Sequence, residues 1–208
     1  MKDFSVGLSL VDYIPVIFFL VASVIIQRGL YNKMSKGAFA LYATGTIDIV
    51  VAGTLKATYK LIYALGICDF EALNNIFFPL QSIGFLFAGI AVIAMLTHKQ
   101  GEELKLHSVA PAVFSGTFLF VGIMVAGLAA MDYGLARIAV KCKKPGVIAL
   151  IVLSFICSLA MGYLSSRDFT QAAMNWICEG INIVGQGSLM AAAIVLKKNG
   201  LEEMRLSK

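Results

Sequence analysis

The sequence predicts an all-α, polytopic integral membrane protein with about six transmembrane helices. Of its 208 residues, 59% are hydrophobic and 14% are charged, whereas soluble domains average about 45–50% apolar and 25% charged residues. The chain also contains six long apolar runs, and about 20 apolar residues cross the hydrocarbon layer of a bilayer. Six spans use almost the whole chain, which leaves no length for a soluble catalytic domain.

The first three runs cover residues 10–26, 37–65 and 73–96. The first lacks the small-residue cleavage site of a signal peptide, so we interpret it as a retained helix. The second includes a mixed segment after Leu55 and ends before Gly66, a residue typical of turns. In the third, Pro79 cannot donate the helical hydrogen bond, which predicts a kink.

The last three runs cover residues 109–131, 146–164 and 172–196. The polar segment before the fourth run contains both histidines, His98 and His107, and we interpret it as a solvated loop. Pro145 and Gly146 break the chain before the fifth run. Together the six runs form one transmembrane domain over residues 1–208, which we expect in the cell membrane as a multi-pass protein.

Basic residues in short loops indicate which side of a membrane protein faces the cytoplasm. When successive loops are assigned to alternate sides of six spans, the lysines and arginines of the two sides nearly balance. The basic tail after residue 196 favours both termini in the cytoplasm. The first loop, with Arg28, Lys33 and Lys36, favours the opposite orientation.

The two halves of the chain show a weak internal similarity. In the first half, Asp69-Phe70, Ala72 and Asn75 correspond to Asp168-Phe169, Ala172 and Asn175 of the second half. This predicts two three-helix repeats, residues 10–96 and 109–196. With three spans each, the repeats would be inverted relative to one another, as in many transporters whose site lies at the repeat interface. Chance similarity between apolar helices is the alternative.

Composition and motifs argue against several kinds of site. The four cysteines form no CxxC pair and indicate neither a disulfide framework nor a metal site. The net charge of +5 lies in loops and the tail, where membrane lipid headgroups rather than nucleic acid are the expected partners. No zinc-protease or serine-hydrolase motif is present, so we predict no catalytic residues, no cofactor and no metal.

Two acidic residues lie within the predicted spans, where a charged side chain costs about 2.5–3.5 kcal/mol on insertion scales. Asp48 lies near the middle of the second run, and Glu179 lies in the sixth. Such residues are expected to face a partner or a wet cavity, because the hydrocarbon layer offers them no hydrogen bonds. They are therefore the first candidates for a functional site.

Glu179 belongs to a polar stripe on the sixth helix. Asn175, Glu179, Asn182 and Gln186 follow one another at four, three and four residues, which places their side chains on one helix face. Amides that donate and accept, beside a carboxylate, are suited to a cation, a proton or a small polar solute. The alternative for the amides is hydrogen bonding between helices, which stabilises by about 0.6 kcal/mol per contact.

Three further polar residues are candidates for the same pathway. Lys56 and Tyr59 lie on one stripe of the second helix, and Gln81 follows Pro79 in the third. Lys56 is about 12 Å from Asp48 along a helix, so the two form no simple ion pair. The lysine and tyrosine either reach to the membrane interface or line a vestibule that attracts an anionic group.

Small residues recur at every fourth position of the fourth run. Gly122, Ala126, Ala130 and Gly134 form a ridge that another helix can approach closely. We interpret this ridge as a packing surface. Its partner is either another helix of the same chain or a second copy in a homodimer.

The leading function hypothesis is a small permease or channel-like protein that binds a cation or small polar solute along these residues. A variant is a membrane subunit that requires a separate energising subunit. The alternatives are an intramembrane enzyme that acts on a lipid-like substrate through an Asp48–Glu179 carboxylate pair, and a non-catalytic assembly or regulatory subunit. The carboxylate pair requires the two acids to approach within one water molecule of each other.

Overall fold

The computed structural model describes residues 5–97, 117–164 and 172–204, which fold into helices and short connections without a strand. Six spans are long and apolar enough to cross a membrane. This confirms the predicted all-α, polytopic membrane class. The helices are α1 (Val6–Val11), α2 (Tyr13–Leu30), α3 (Lys36–Ala64), α4 (Ala72–Asn75), α5 (Phe77–Thr97), α6 (Thr117–Lys141), α7 (Val147–Leu164) and α8 (Ala172–Lys198).

Side-chain caps and left-handed residues set several helix ends. The hydroxyls of Ser5 and Ser35 accept hydrogen bonds from backbone N–H groups in the first turns of α1 and α3, which would otherwise have no partner. Gly66 and Gly200 have positive φ angles of 68° and 86° after α3 and α8. A glycine adopts this conformation without a steric penalty, so both positions stop the helix and turn the chain.

Two proline residues divide the first and third spans into a short and a long helix. Pro15 lacks the N–H group that would bond to the Val11 carbonyl, and α1 ends at Val11. Pro79 stands in the same relation to Asn75, the last residue of α4. The sequence predicted the second interruption but not the first, which lies next to Asp12.

α6 differs from the predicted fourth span, 109–131. Residues 109–116 lie outside the described residues, and the helix continues past Met131 to Lys141. The apolar run ends at Asp132, but a charged residue does not interrupt backbone hydrogen bonds, and the helix remains amphipathic beyond it. Leu135 and Ile138 are fully buried there, so packing extends the helix nearly three turns beyond the apolar run.

The long helices form a closed ring. Each packs on its neighbours in the order α2, α3, α5, α6, α7 and α8, and α8 packs back on α2. Apolar side chains from all six fill the space around the axis of the bundle, among them Phe19, Tyr42, Val92, Met131 and Leu196. A ring of this kind places one face of every helix toward a shared interior.

Adjacent contacts show the direction of each helix. Tyr13 bonds to Thr58 and Gln27 to Thr46, so α2 and α3 are antiparallel. By contrast, the Ser82 hydroxyl donates to the Phe120 carbonyl, and Val92 lies against Gly134. The residue numbers of the contacting positions increase together in the two helices, so α5 and α6 are parallel.

α2 and α8 are also parallel. Phe18 lies against Gly187, and Leu201 lies against Gly29, beside a bond from Lys33 to the Glu202 carbonyl. α1 therefore begins at one end of the bundle, and α8 finishes at the other. We call these the Asp69 end, which holds the connection between α3 and α4, and the Lys143 end, which holds the connection between α6 and α7.

These directions do not agree with two expectations from the sequence. Both termini on one side of the membrane would require α1 to begin where α8 ends. An inverted repeat would require α5 and α6 to be antiparallel, whereas the two three-helix groups run in the same directions. The repeat itself stays a prediction, since Asp168 and Phe169 lie outside the described residues.

Glycines bring α3, α5 and α6 into backbone contact. A Cβ added at Gly45 would lie 2.5 Å from the Gly84 carbonyl oxygen, and one at Gly89 would lie 2.5 Å from the Gly127 carbonyl oxygen. We call these four residues the glycine contact. In the predicted ridge of α6, Ala130 and Gly134 do pack on α5, but Gly122 is exposed, and a Cβ added there would meet nothing within 4 Å.

Candidate functional site

Asp12 and Lys60 form a buried ion pair between the α1–α2 junction and α3. The Lys60 Nζ lies 2.5 Å from the Asp12 Oδ2, and the two side chains are 15% and 7% exposed. The break before Pro15 places Asp12 at the end of α1, while Lys60 lies one turn before the end of α3. Two oppositely directed helices thus bring the two charges to one level of the bundle.

Glu179 of α8 joins this pair. Its side chain is 4% exposed. The carboxyl group of Glu179 lies beside that of Asp12 and interacts with the charges of Lys60 and Lys56. Glu179 therefore brings a second acid to the buried ion pair.

Lys56 completes a group of two acids and two bases, which we call the charge cluster: Asp12, Lys56, Lys60 and Glu179. The Lys56 Nζ lies 4.0 Å from the centre of the Phe77 ring, a cation–π distance. It also interacts with the charges of the other three members.

Two neighbouring hydrogen bonds hold the α3 side of the charge cluster. The Tyr59 hydroxyl donates to the Asp69 Oδ1 at 2.9 Å, in the connection after α3. The Tyr13 hydroxyl, next to Asp12 in sequence, lies 2.8 Å from the Thr58 Oγ1. Tyr59, a predicted pathway residue, is buried at the edge of the charge cluster and ties α3 to the Asp69 end.

The charge cluster is closed and lies below the Asp69 end. Asp12 is six residues into its span, which corresponds to about 9 Å of helix. Asp12 Oδ1 and Glu179 Oε1 are buried and have no hydrogen-bond partner among the described residues. Burial of such atoms is unfavourable by about 1–3 kcal/mol, so the cluster offers two acceptor positions to a donor that enters it.

The polar stripe of α8 extends from the charge cluster toward the other end. Asn175, one turn before Glu179, is 4% exposed, while Asn182 is half-buried. Gln186 has a buried Oε1 without a partner among the described residues. Since α8 runs from the Asp69 end to the Lys143 end, these amides lie at successively greater depth.

Asp48 and Gln81 are not part of the charge cluster. Asp48 precedes Lys60 by twelve residues in α3, which is about 18 Å along the helix. Asp48 is half-buried beside exposed Thr44 and Ile47. The structure does not bring Asp48 and Glu179 together, because Glu179 lies beside Lys60 instead. Gln81 is half-buried in α5 and follows the kink at Pro79.

Asp132 of α6 is a second buried acid. It is 5% exposed, and neither of its carboxylate oxygens has a hydrogen-bond partner among the described residues. Its charge acts on buried Tyr42 of α3. On α3, Thr46 lies one turn from Tyr42 and accepts a 2.7 Å hydrogen bond from Gln27. These residues lie in the half of the bundle nearer the Lys143 end.

Sequence reasoning missed Asp12 and Asp132 for the same reason. Each lies at the edge of an apolar run, and only acids well inside the runs were considered as candidates. For Asp12, the signal is Pro15, because a proline inside an apolar run predicts a break in the helix near that acid. For Asp132, it is the amphipathic pattern that continues to Lys141.

Two shallow surface grooves lie away from the charge cluster. The larger has a volume of about 320 Å³ and lies between α5 and α6. Its lining is apolar and includes Ile90 and Ala126, as expected for a surface that faces lipid. Among the described residues, no three His, Cys, Asp or Glu side chains are grouped to hold a metal ion, and His98 and His107 lie outside these residues.

Comparison with known proteins identifies no relative. No protein-family model matches the chain, and no curated protein or solved structure is significantly similar to it. The site must therefore be interpreted from its own geometry.

Proposed function

We propose that this protein is a small permease or channel-like protein of the cell membrane, in which the charge cluster binds a cation or small polar solute. The observation that carries the proposal is the convergence of four ionisable side chains from α1–α2, α3 and α8 inside the bundle. Buried charges in a membrane protein are unfavourable and are characteristic of pathways for ions and solutes.

The free acceptor atoms indicate what kind of solute the charge cluster would take. Asp12 Oδ1 and Glu179 Oε1 both accept hydrogen bonds and are unpartnered among the described residues. A ligand with N–H groups or a positive charge satisfies both, whereas a simple anion satisfies neither. Ammonium ions, amines and amides are therefore the solutes we expect to bind most tightly.

Polar residues continue beyond the charge cluster. Asn182 and Gln186 lie deeper on α8, and Asp132 and Tyr42 lie in the half nearer the Lys143 end. Polar side chains therefore occur at several depths between the charge cluster and the Lys143 end. This order favours conduction through one chain, and a homodimer or an energising subunit is not required for it.

The test is binding and permeation with purified protein. Thermal unfolding is measured with alkali cations, ammonium, methylamine, urea and amino acids, for the wild type, Asp12→Asn and Glu179→Gln. A solute that binds only the folded state raises stability by RT ln(1 + [L]/Kd). Glu203→Gln is the control, because Glu203 is exposed and lies outside the charge cluster.

We expect at least one donor solute to stabilise the wild type and Glu203→Gln but neither cluster variant. The same solute is expected to enter proteoliposomes of the wild type faster than protein-free liposomes. If no solute stabilises or crosses while both cluster variants remain folded, the permease proposal is wrong. Transport that is unaffected by both cluster variants would place the pathway elsewhere in the bundle.

A further inference from the structure

Basic side chains are concentrated at one end of the bundle. The connections and terminal turns at the Lys143 end contain Arg28, Lys33, Lys36, Lys141, Lys143, Lys144, Lys197 and Lys198. The described acidic residues of that end are Glu202 and Glu203. Its excess of positive charge is therefore large.

The described connection at the Asp69 end carries negative rather than positive charge. Its connection between α3 and α4 contains exposed Asp69 and Glu71 and no basic residue. Lys56 and Lys60 lie nearest to it, but both are inside α3 and interact with Asp12 and Glu179. Within the described part of the chain, no lysine or arginine lies in a connection at this end.

The difference in charge between the two ends of the bundle is hidden when successive spans are assumed to alternate in direction. Alternation would place the connection around Lys143 opposite the one around Lys33, so the two basic segments would cancel. Because α5 and α6 are parallel, both connections lie at the same end. The near balance of charges in the sequence becomes a strong bias once the directions of the helices are known.

We propose that the Lys143 end faces the cytoplasm and that the Asp69 end faces outward. Cytoplasmic segments of membrane proteins are enriched in lysine and arginine, and they lie against the anionic headgroups of the inner leaflet. The charge cluster, about 9 Å below the Asp69 end, is then reached from outside the cell. Only this last consequence rests on the proposed function; the orientation does not.

Cysteine accessibility tests the orientation in cells that express the full chain. Cys68 is exposed at the Asp69 end and serves as the native reporter once Cys142 is replaced by serine. Two reporters for the Lys143 end are Asn32→Cys and Gly146→Cys, each in a chain with Cys68→Ser and Cys142→Ser. Asn32 is exposed, and a Cβ at Gly146 meets nothing within 4 Å.

A membrane-impermeant maleimide is expected to label Cys68 in intact cells. It should label Asn32→Cys and Gly146→Cys only after the cells are permeabilised. The parent chain with both serines gives the background, and gel filtration confirms that each variant is folded. Because the native reporter changes only Cys142, the test does not depend on the two introduced cysteines.

Labelling of Asn32→Cys or Gly146→Cys in intact cells would overturn the proposal, as would a Cys68 that reacts only after permeabilisation. The pair of reporters at the Lys143 end has an added use. Simple alternation predicts that they react from opposite sides, and the parallel α5 and α6 predict the same side. None of these outcomes involves a solute, so failure here is distinct from failure of the permease proposal.

Discussion

The charge cluster and the glycine contact join helices in different ways. At the glycine contact, Gly45 and Gly84 allow α3 and α5 to touch through their backbones. At the charge cluster, Asp12, Lys60 and Glu179 join three segments through ionisable groups. Both regions are buried in the same ring of helices, so their surroundings do not explain the difference.

The glycine contact and the charge cluster differ in how much they stabilise the bundle. Close contact between small residues is the usual source of helix association in a bilayer, where no hydrophobic effect acts between helices. A buried ion pair is a weak source of stability, because desolvation offsets much of the attraction, and apolar replacements are often neutral or stabilising. The glycine contact is thus the stronger source of packing, whereas the charge cluster contributes little net stability, which agrees with the binding role proposed for it.

The largest effect is expected from Lys60→Met. This change leaves the buried Asp12 carboxylate without its cation, and such a loss destabilises by about 3–5 kcal/mol. Denaturant unfolding in detergent measures the change in free energy. The double variant Asp12→Asn with Lys60→Met removes both partners and should recover most of this loss.

Exposed Lys197 provides a matched control. Lys197→Met should alter the free energy of unfolding by no more than about 0.5 kcal/mol. If Lys60→Met is as mild as this control, the ion pair has no structural role and the contrast with the glycine contact is lost. If the double variant is stable but no longer binds solute, the charges serve function alone.

A smaller effect is expected from Gly127→Ala. The added methyl group would meet the backbone of Phe85 and Leu86, and overpacking of a tight contact typically destabilises by about 1–3 kcal/mol. Gly122→Ala, on an open face of the same helix, is the control and should be close to neutral. Equal effects of the two alanines would show that α5 and α6 are not in close contact at Gly127.

The smallest effect is expected from Asp132→Asn. Asp132 is as buried as the acids of the charge cluster. Unlike Asp12, it has no described partner for either carboxylate oxygen. An amide of the same shape cannot ionise, so it removes the cost of charging the buried group and should increase stability by no more than about 1 kcal/mol. Thermal unfolding of the two proteins at neutral pH measures the difference. Marked destabilisation would reveal that the carboxylate has a partner in the membrane.

The candidate site was only partly accessible to sequence reasoning. Glu179 was singled out because a lone acid in an apolar helix is unfavourable, and it does lie in the interior. Asp48 was chosen by the same argument, yet it is half-buried far from Glu179 along the bundle. Position along one helix gives the depth of a side chain, but which face meets which neighbour depends on how the helices pack.

The sequence by itself determined the membrane-spanning class, because the length and apolar content of each run decide whether that run can cross a bilayer. It also determined where most helices stop, through residues such as Gly66 and Pro145. Only the tertiary structure decided that Asp12 meets Lys60 and Glu179, and that α5 and α6 are parallel. Those facts follow from contacts between distant segments, which no local pattern of hydrophobicity or charge encodes.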